Sequence, residues 1–285
     1  MTQPISKRQP QVQVLAPGKV YFDYGPSSIV VMADKDGHPL TDLCQQAFEV
    51  IDSSLTEITA SLSWLRRYPA HIPAGQLTGL PGRMLEAVLA VDEPTLTPMA
   101  TVAGCVSDAV ADWLLAQGAG RAIANNGGDI ALRLAPGTSA KIGLMTNLWA
   151  GQVDRTVTIK AEDGIGGIAT SGLGGRSLTR GIARGVSAFA RRCILADALA
   201  THLANRSFIP SDQVLTMKAG EVDPNSDISD LSVVVGVGQL DPKLRQQALH
   251  QVEGEARRQK KLGNLIAACA RVGDSLLNFE MPAEA

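Results

Sequence analysis

The 285-residue chain is 45% hydrophobic and 19% charged, enough to bury a sizeable core in one large domain or two small ones. Its net charge is −2. The densest basic cluster, Arg257, Arg258, Lys260 and Lys261 behind Glu253 and Glu255, reads as a solvated helix face, which argues against a nucleic-acid partner. Aromatics are only 4%, so Ala, Val, Leu and Ile must build the core, and the 28 glycines show no collagen-like period.

Residues 1–10 read as disordered, and a single domain is expected from residue 11 onward. The polar segment 1–13 lacks the apolar centre of a secretion signal. No apolar stretch reads as long enough to span a bilayer, so a cytoplasmic protein is expected. Strands are expected at 12–15 and 20–24 around the Pro17-Gly18 turn, and at 28–32. A long helix is expected over 40–62, a loop over 64–79 and a short helix over 82–91. The apolar stripe over 102–117, stopped by Gly118, predicts a helix. Strands follow at 122–124, 130–134, 141–145, 153–159 and 168–170. A glycine-rich basic loop spans 172–185, and a helix is expected over 193–205. A buried strand is expected at 232–237, a polar amphipathic helix over 242–261, and either a strand or a short helix at 265–272. Strands and helices interleave without a linker, which is the pattern of an α+β or mixed α/β fold. Cys44, Cys105, Cys193 and Cys269 form no CxxC pair and read as buried free thiols rather than zinc ligands.

Three segments have chemistry to offer. Asn125, Asn126, Gly127, Gly128 and Asp129 form either an ordinary hairpin turn or a nest of amides open to an anion. Ala169, Thr170, Ser171, Gly172, Gly174, Gly175, Arg176 and Ser177 follow a strand. Their amides, hydroxyls and guanidinium suit a phosphate or carboxylate, or simply a surface loop. Asp197 and Thr201, four apart on one helix, share a face. They suit a hard cation such as Mg2+, or else an exposed carboxylate and a back-bonded hydroxyl. No nucleophilic triad is legible, and His38, His71, His202 and His250 all read as surface histidines.

In this order, residues 104–108, Asn125 to Asp129, Ala169 to Gly172 and Ala196 to Thr201 resemble the motifs of the FAD:protein FMN transferase (ApbE-like) superfamily. The likeness covers residues 98–205. It is strongest to a shorter branch with Pro98-Met99-Ala100 before the helix and a Thr170 to Ser177 loop. The resemblance implies an ApbE-like (T-fold-like) arrangement of sheets packed with helices, and a flavin cleft for FAD or FMN. It implies Mg2+ held by Asp197, Thr201 and the carbonyl of Ala100, with Asp108 and Arg176 in catalytic roles. Two motifs depart. Ala103 stands where the superfamily has Lys, and residues 178–185 contain no histidine where the transferases carry their general base. Three functions follow: a Mg2+-assisted flavin-nucleotide enzyme, an enzyme acting on a small carboxylated metabolite without flavin, or a non-catalytic flavin- or metal-binding partner protein. A homodimer is the expected assembly.

Overall fold

A computed structural model describes residues 10–284. Of the segment read as disordered, residues 1–9 lie outside the described residues. The strands are β1 (Gln11–Ala16), β2 (Lys19–Tyr24), β3 (Ser27–Lys35), β4 (His38–Pro39), β5 (Arg121–Asn126), β6 (Asp129–Leu134) and β7 (Ser139–Leu144). They continue as β8 (Arg155–Lys160), β9 (Gly167–Ser171), β10 (Gly185–Ala190), β11 (Val214–Lys218), β12 (Ser232–Val237), β13 (Ala267–Val272) and β14 (Ser275–Phe279). The helices are α1 (Thr41–Gln46), α2 (Phe48–Ala60), α3 (Leu62–Leu65), α4 (Gly79–Val91) and α5 (Val102–Ala116). They continue as α6 (Cys193–Arg206), α7 (Ala219–Val222) and α8 (Pro242–Lys261).

The frame is a ten-stranded sheet in the order β1-β2-β3-β5-β6-β9-β10-β13-β14, with β4 on β3. Its pairings are antiparallel. Strand alternation divides the core between its two faces. On one face Val31, Ala124 and Ala131 meet Ile51, Val110 and Leu114 from α2 and α5. Further along that face, Ala169, Val186 and Ala188 meet Leu199 and Leu203 of α6 and Val252 of α8. On the other face Ile130, Ile168 and Phe189 are covered by Ile142 and Leu144 of β7 and by Val157 and Ile159 of β8. The result is a helix layer, a long sheet and a hairpin cover, the mixed α/β arrangement expected.

Several readings change. The helix over 40–62 is broken at Ala47 into α1 and α2. The loop over 64–79 contains the end of α3 and a 3-10 turn at Pro69–His71. β10 lies where no strand was expected, because all six of its residues are buried and it shows no alternation. Residues 267–272 are a strand, not a helix. The segment 232–237 is a strand but is only half sunk in the core: it pairs with β11, and Val235 is 42% exposed. The stretch Pro98–Ala116 does have the length and mean hydropathy of a membrane-crossing helix, contrary to the sequence reading. Here it supplies a core helix, with the buried Asp108 in its middle. All four cysteines are buried free thiols, as expected.

His202 is not a surface histidine. It is 3% exposed, on α6, between Glu93 after α4 and Glu255 of α8. Its ring nitrogens lie 3.5 Å from Glu93 and 3.0 Å from Glu255, within ion-pair reach though off the angles of a good hydrogen bond. His202 is the main cause that holds the Glu93 carboxyl down at about 2; burial opposes it, and the Thr95 hydroxyl and amide assist. A depressed carboxylate contributes stability that is present above its unfolded value of 4.5 and is lost as the pH falls towards 2. Glu93→Gln should therefore cost about 1–3 kcal/mol at pH 7. It should also flatten the loss of stability between pH 5 and pH 2, and urea unfolding across that range checks both effects.

Candidate functional site

The site begins with the two-residue turn between β5 and β6. Gly127 and Gly128 both have positive φ, +68° and +112°, which glycine adopts at no steric cost. Asn126 and Asp129 face each other across the turn, and the Gly128 amide donates to Asn125 Oδ1 at 2.9 Å. The turn is thus a tight hairpin as well as a candidate anion nest. A Cβ on Gly127 would lie 1.4 Å from an Arg176 guanidinium nitrogen, so the arginine of the second loop covers the turn of the first. The Oδ1 of Asn126 is buried without a hydrogen-bond partner, while its amide nitrogen donates to Ser27 Oγ at 3.3 Å.

The second loop leaves β9 beside β10, where Thr170 Oγ1 and Ser187 Oγ are 2.7 Å apart. Gly172 packs against the Ala183 carbonyl and Gly174 against the ring of Trp149. Gly174, Gly175, Arg176 and Ser177 are exposed. Alternation turns Ala169 and Ser171 to the helix face and Thr170 to the opposite face. The Ala169 methyl is packed in the core, so only its backbone is left for a ligand.

The third segment is set by contact between α5 and α6. A Cβ on Gly104 would lie 2.6 Å from the Cys193 carbonyl and 2.9 Å from the Cβ of Asp197. With no side chain there, the Gly104 amide donates to Asp197 Oδ2 at 2.9 Å. Thr201 is one turn further along α6, which packs against the 3-10 turn Pro98–Thr101 that carries Ala100.

Asp197 and Asp129 act on each other. The Asp197 carboxyl is raised well above the usual range, first by burial and then by the charge of Asp129, with the Gly104 amide opposing. Burial also lifts Asp129, to about 7, against the Thr170 amide and the Arg176 guanidinium. Asp197 with Asp129, and Asp129 with Arg176, are thus within electrostatic reach of each other across the three segments. Among the described residues no group of three or more His, Cys, Asp or Glu side chains is disposed to hold a metal. A cation here would need hydroxyl, carbonyl or water oxygens beside the two carboxylates.

Asp108 is not placed as a group facing a ligand. Its Oδ1 accepts from Arg133 at 2.7 Å, and its Oδ2 accepts from the Ile194 amide in the first turn of α6 at 2.9 Å. Asp112 completes the network, accepting from Arg133 at 2.6 Å and from Arg192 at 2.5 Å. Burial pushes the Asp112 carboxyl up, but Arg192 and Arg133 outweigh it and hold the group below its ordinary value. Both oxygens of Asp108, expected to be catalytic, are thus engaged within the protein, where they anchor the start of α6.

A cavity of about 370 Å3 opens on the opposite face of the sheet, lined by Val30, Asn125, Gly127, Gly128, Leu148 and Thr170 among others. It adjoins the glycine turn, so Gly127 and Gly128 connect the cavity with the carboxylate end of the site. The sequence reading missed Ser107, whose hydroxyl donates to the Asp129 carbonyl at 2.8 Å, and missed the wall residues Leu148 and Val30. Asx and glycine patterns mark turns, whereas cavity walls are apolar and carry no local signal. Residues 178–185, which contain no histidine, are bound into the fold. Ile182 and Ala183 are core residues, and the Ile182 and Ala183 amides both donate to Ser207 Oγ at 2.9 Å.

The model of the family described as AbpE bacteria matches residues 12–277. A UPF0280 protein of Methanopyrus kandleri is 28% identical over 214 residues, which cover 69% of this chain and 85% of that protein. A UPF0280 protein of Methanococcus aeolicus is 30% identical over 146 residues, 49% of this chain and 56% of its own length. The chain thus spans about half the length of some curated relatives, such as the 48% matched in Methanococcus vannielii. The apo structure of Pseudomonas stutzeri flavinyl transferase ApbE aligns over 96% of this chain and 97% of that one, with a TM-score of 0.52 and 13% identity. That likeness supports the same fold, and the family match over nearly the whole chain places the protein in the AbpE bacteria family.

Proposed function

We propose that this protein binds a flavin nucleotide, or a closely similar anionic nucleotide, together with a divalent cation, at the end of the sheet where the glycine turn meets α6. The observation that carries the reading is the Asp129–Asp197 pair. Both side chains are only partly exposed, the charge of Asp129 raises the proton affinity of Asp197, and a hard cation relieves that repulsion with the oxygen ligands it prefers. Asp197 and Asp129 would hold the ion, with Thr201 and the Ala100 carbonyl as further oxygen donors. Such an ion neutralises phosphoryl charge. Arg176 stands over Gly127 to take an anionic oxygen, and the amides of Gly127 and Gly128 offer the nest beside it. Thr170 and Asn125 line the adjoining cavity, where the ring portion of the ligand would lie. The fold shared with a flavinyl transferase makes flavin the first nucleotide to test.

One observation favours a second reading, a different ligand on the same scaffold. Residues 178–185 contain no histidine, and Ile182 and Ala183 among them are packed into the core, so no imidazole base comes from that segment. Acid–base help is worth about 10²- to 10⁴-fold in rate. A chain lacking it suits binding without transfer, or chemistry on a small carboxylated metabolite held by Arg176.

Calorimetric titration of FAD and FMN, with and without Mg2+, separates these readings. The expected result is Mg2+-dependent binding of FAD that Asp197→Asn weakens by at least about tenfold, ~1.4 kcal/mol. Absence of flavin binding under every condition would overturn the first reading in favour of the second. The carboxylate pair also has a pH signature. Its carboxyls titrate above the unfolded value of 3.8, with Asp129 near 7, so the cation-free protein should lose stability as the pH rises from about 4 through 7. Mg2+ should restore that stability with an affinity that increases over the same range. Asp197→Asn should flatten the cation-free profile and abolish the Mg2+ effect, as read by thermal unfolding. Gly104→Ala should separate α5 from α6, cost about 1–3 kcal/mol and weaken Mg2+ binding in the same assay.

A further inference from the structure

A second cavity, of about 310 Å3, lies next to the first. Leu148 lines one and Trp149 the other, so the 3-10 turn Leu148–Ala150 is their common wall. Gly174 and Gly175 pack against those two side chains and fix the wall in place. The second cavity is walled on one side by Leu173, Ile182 and Leu240, and it holds two guanidiniums, Arg184 and Arg245, against the single carboxylate of Asp274.

The arginines are arranged for a ligand more than for each other's support. Arg245 comes from the first turns of α8 and lies across Gly273, where a Cβ would sit 2.7 Å from its Cδ. Its Nη1 reaches Asp274 at 3.4 Å, but that carboxylate side chain is 88% exposed. Its Nε is buried with no hydrogen-bond partner. A buried donor left unpaired costs roughly 1–3 kcal/mol, whereas the accessible nitrogens of a guanidinium are planar donors that match the oxygens of a carboxylate or phosphate. Arg184 stands 5.5 Å from the centre of the Trp149 ring. Trp149 is 52% exposed, an unusual cost for an indole unless it serves a contact.

We propose that this cavity is a second ligand site, for a small planar anion. The carboxylate or phosphate oxygens are taken by the guanidiniums of Arg245 and Arg184, and the flat ring lies against Trp149 over the apolar wall. The site shares the Leu148–Ala150 wall with the first cavity but uses neither the cation ligands nor the Gly127–Gly128 turn, so it does not rest on the flavin reading.

The test is titration of the intact protein with benzoate and with adenosine 5′-monophosphate. The readouts are the NMR signals of the Trp149 indole N–H and the Arg245 Nε–H, with chloride at matched ionic strength as control. A saturable shift of both signals with either probe is expected. Benzoate alone assigns a carboxylate ligand and the nucleotide alone a phosphate ligand. Arg184→Gln and Arg245→Gln should each weaken binding at least about tenfold, while Asp197→Asn leaves it unchanged. Arg245→Lys keeps the charge but loses the fork, and should weaken binding too even if Arg184→Gln fails to fold. No saturable shift with either probe, equal binding in Arg245→Gln and Arg245→Lys to that of the wild type, or loss of binding in Asp197→Asn would each overturn the proposal.

Discussion

The arrangement of the site depends on where α6 begins, and the carboxylate of Asp108 sets that point. From the middle of α5 it takes the guanidinium of Arg133 on β6 with one oxygen and the Ile194 amide of α6 with the other. One side chain thus ties two helices and the strand that starts at Asp129. A buried ion pair of this kind contributes little net stability, because desolvation offsets most of the attraction. Its consequence is positional: losing either partner would leave a buried charge uncompensated, so alternative docking of α6 is costly. Asp197 and Thr201 are one and two turns further along the helix and inherit that position.

The small side chains around this anchor follow from the same constraint. Gly104 lets α5 approach the first turn of α6, and Gly167 does the same beneath it, since a Cβ there would lie 2.2 Å from the Cys193 amide. Ala196, Ala198, Ala200 and Ala204 are wholly buried along α6. Dispersion and area burial per residue are modest for Ala, so stability must come from close approach over a long interface and not from large side chains. That explains how a chain with so few aromatic residues still forms a three-layer core.

Much of this was legible in the sequence, for local reasons. The stripe before Gly118 marked α5, the alternating residues around Pro17-Gly18 marked β2, and the paired glycines after Asn126 marked the β5–β6 turn. What was missed is non-local. β10 is buried on both faces and made of Ala, Gly, Ser, Val and Phe, so neither alternation nor propensity announces it. His202 is buried where α6 meets Glu93 and Glu255, which are far from it in sequence. Asp108 looked like part of a reactive motif because its partners, Arg133 and the start of α6, become neighbours only in the fold. The second cavity draws Trp149, Arg184 and Arg245 from three unrelated segments.

The carboxylate pair runs against the economy of the rest of the core. Elsewhere the partly buried acids have basic neighbours: Asp108 and Asp112 share Arg133 and Arg192, and Glu93 and Glu255 flank the His202 ring. At Asp129 and Asp197 the compensation stops at amide hydrogens and the more distant, exposed Arg176, and both carboxyls rise instead of falling. A fold able to place an arginine beside Asp108 had the means to place one here. Two acids kept together without a buried cationic partner cost stability at neutral pH, and the bond Asp197 accepts from the Gly104 amide in the first turn of α5 offsets only part of that cost. That residual repulsion is what the cation proposed above would turn into attraction.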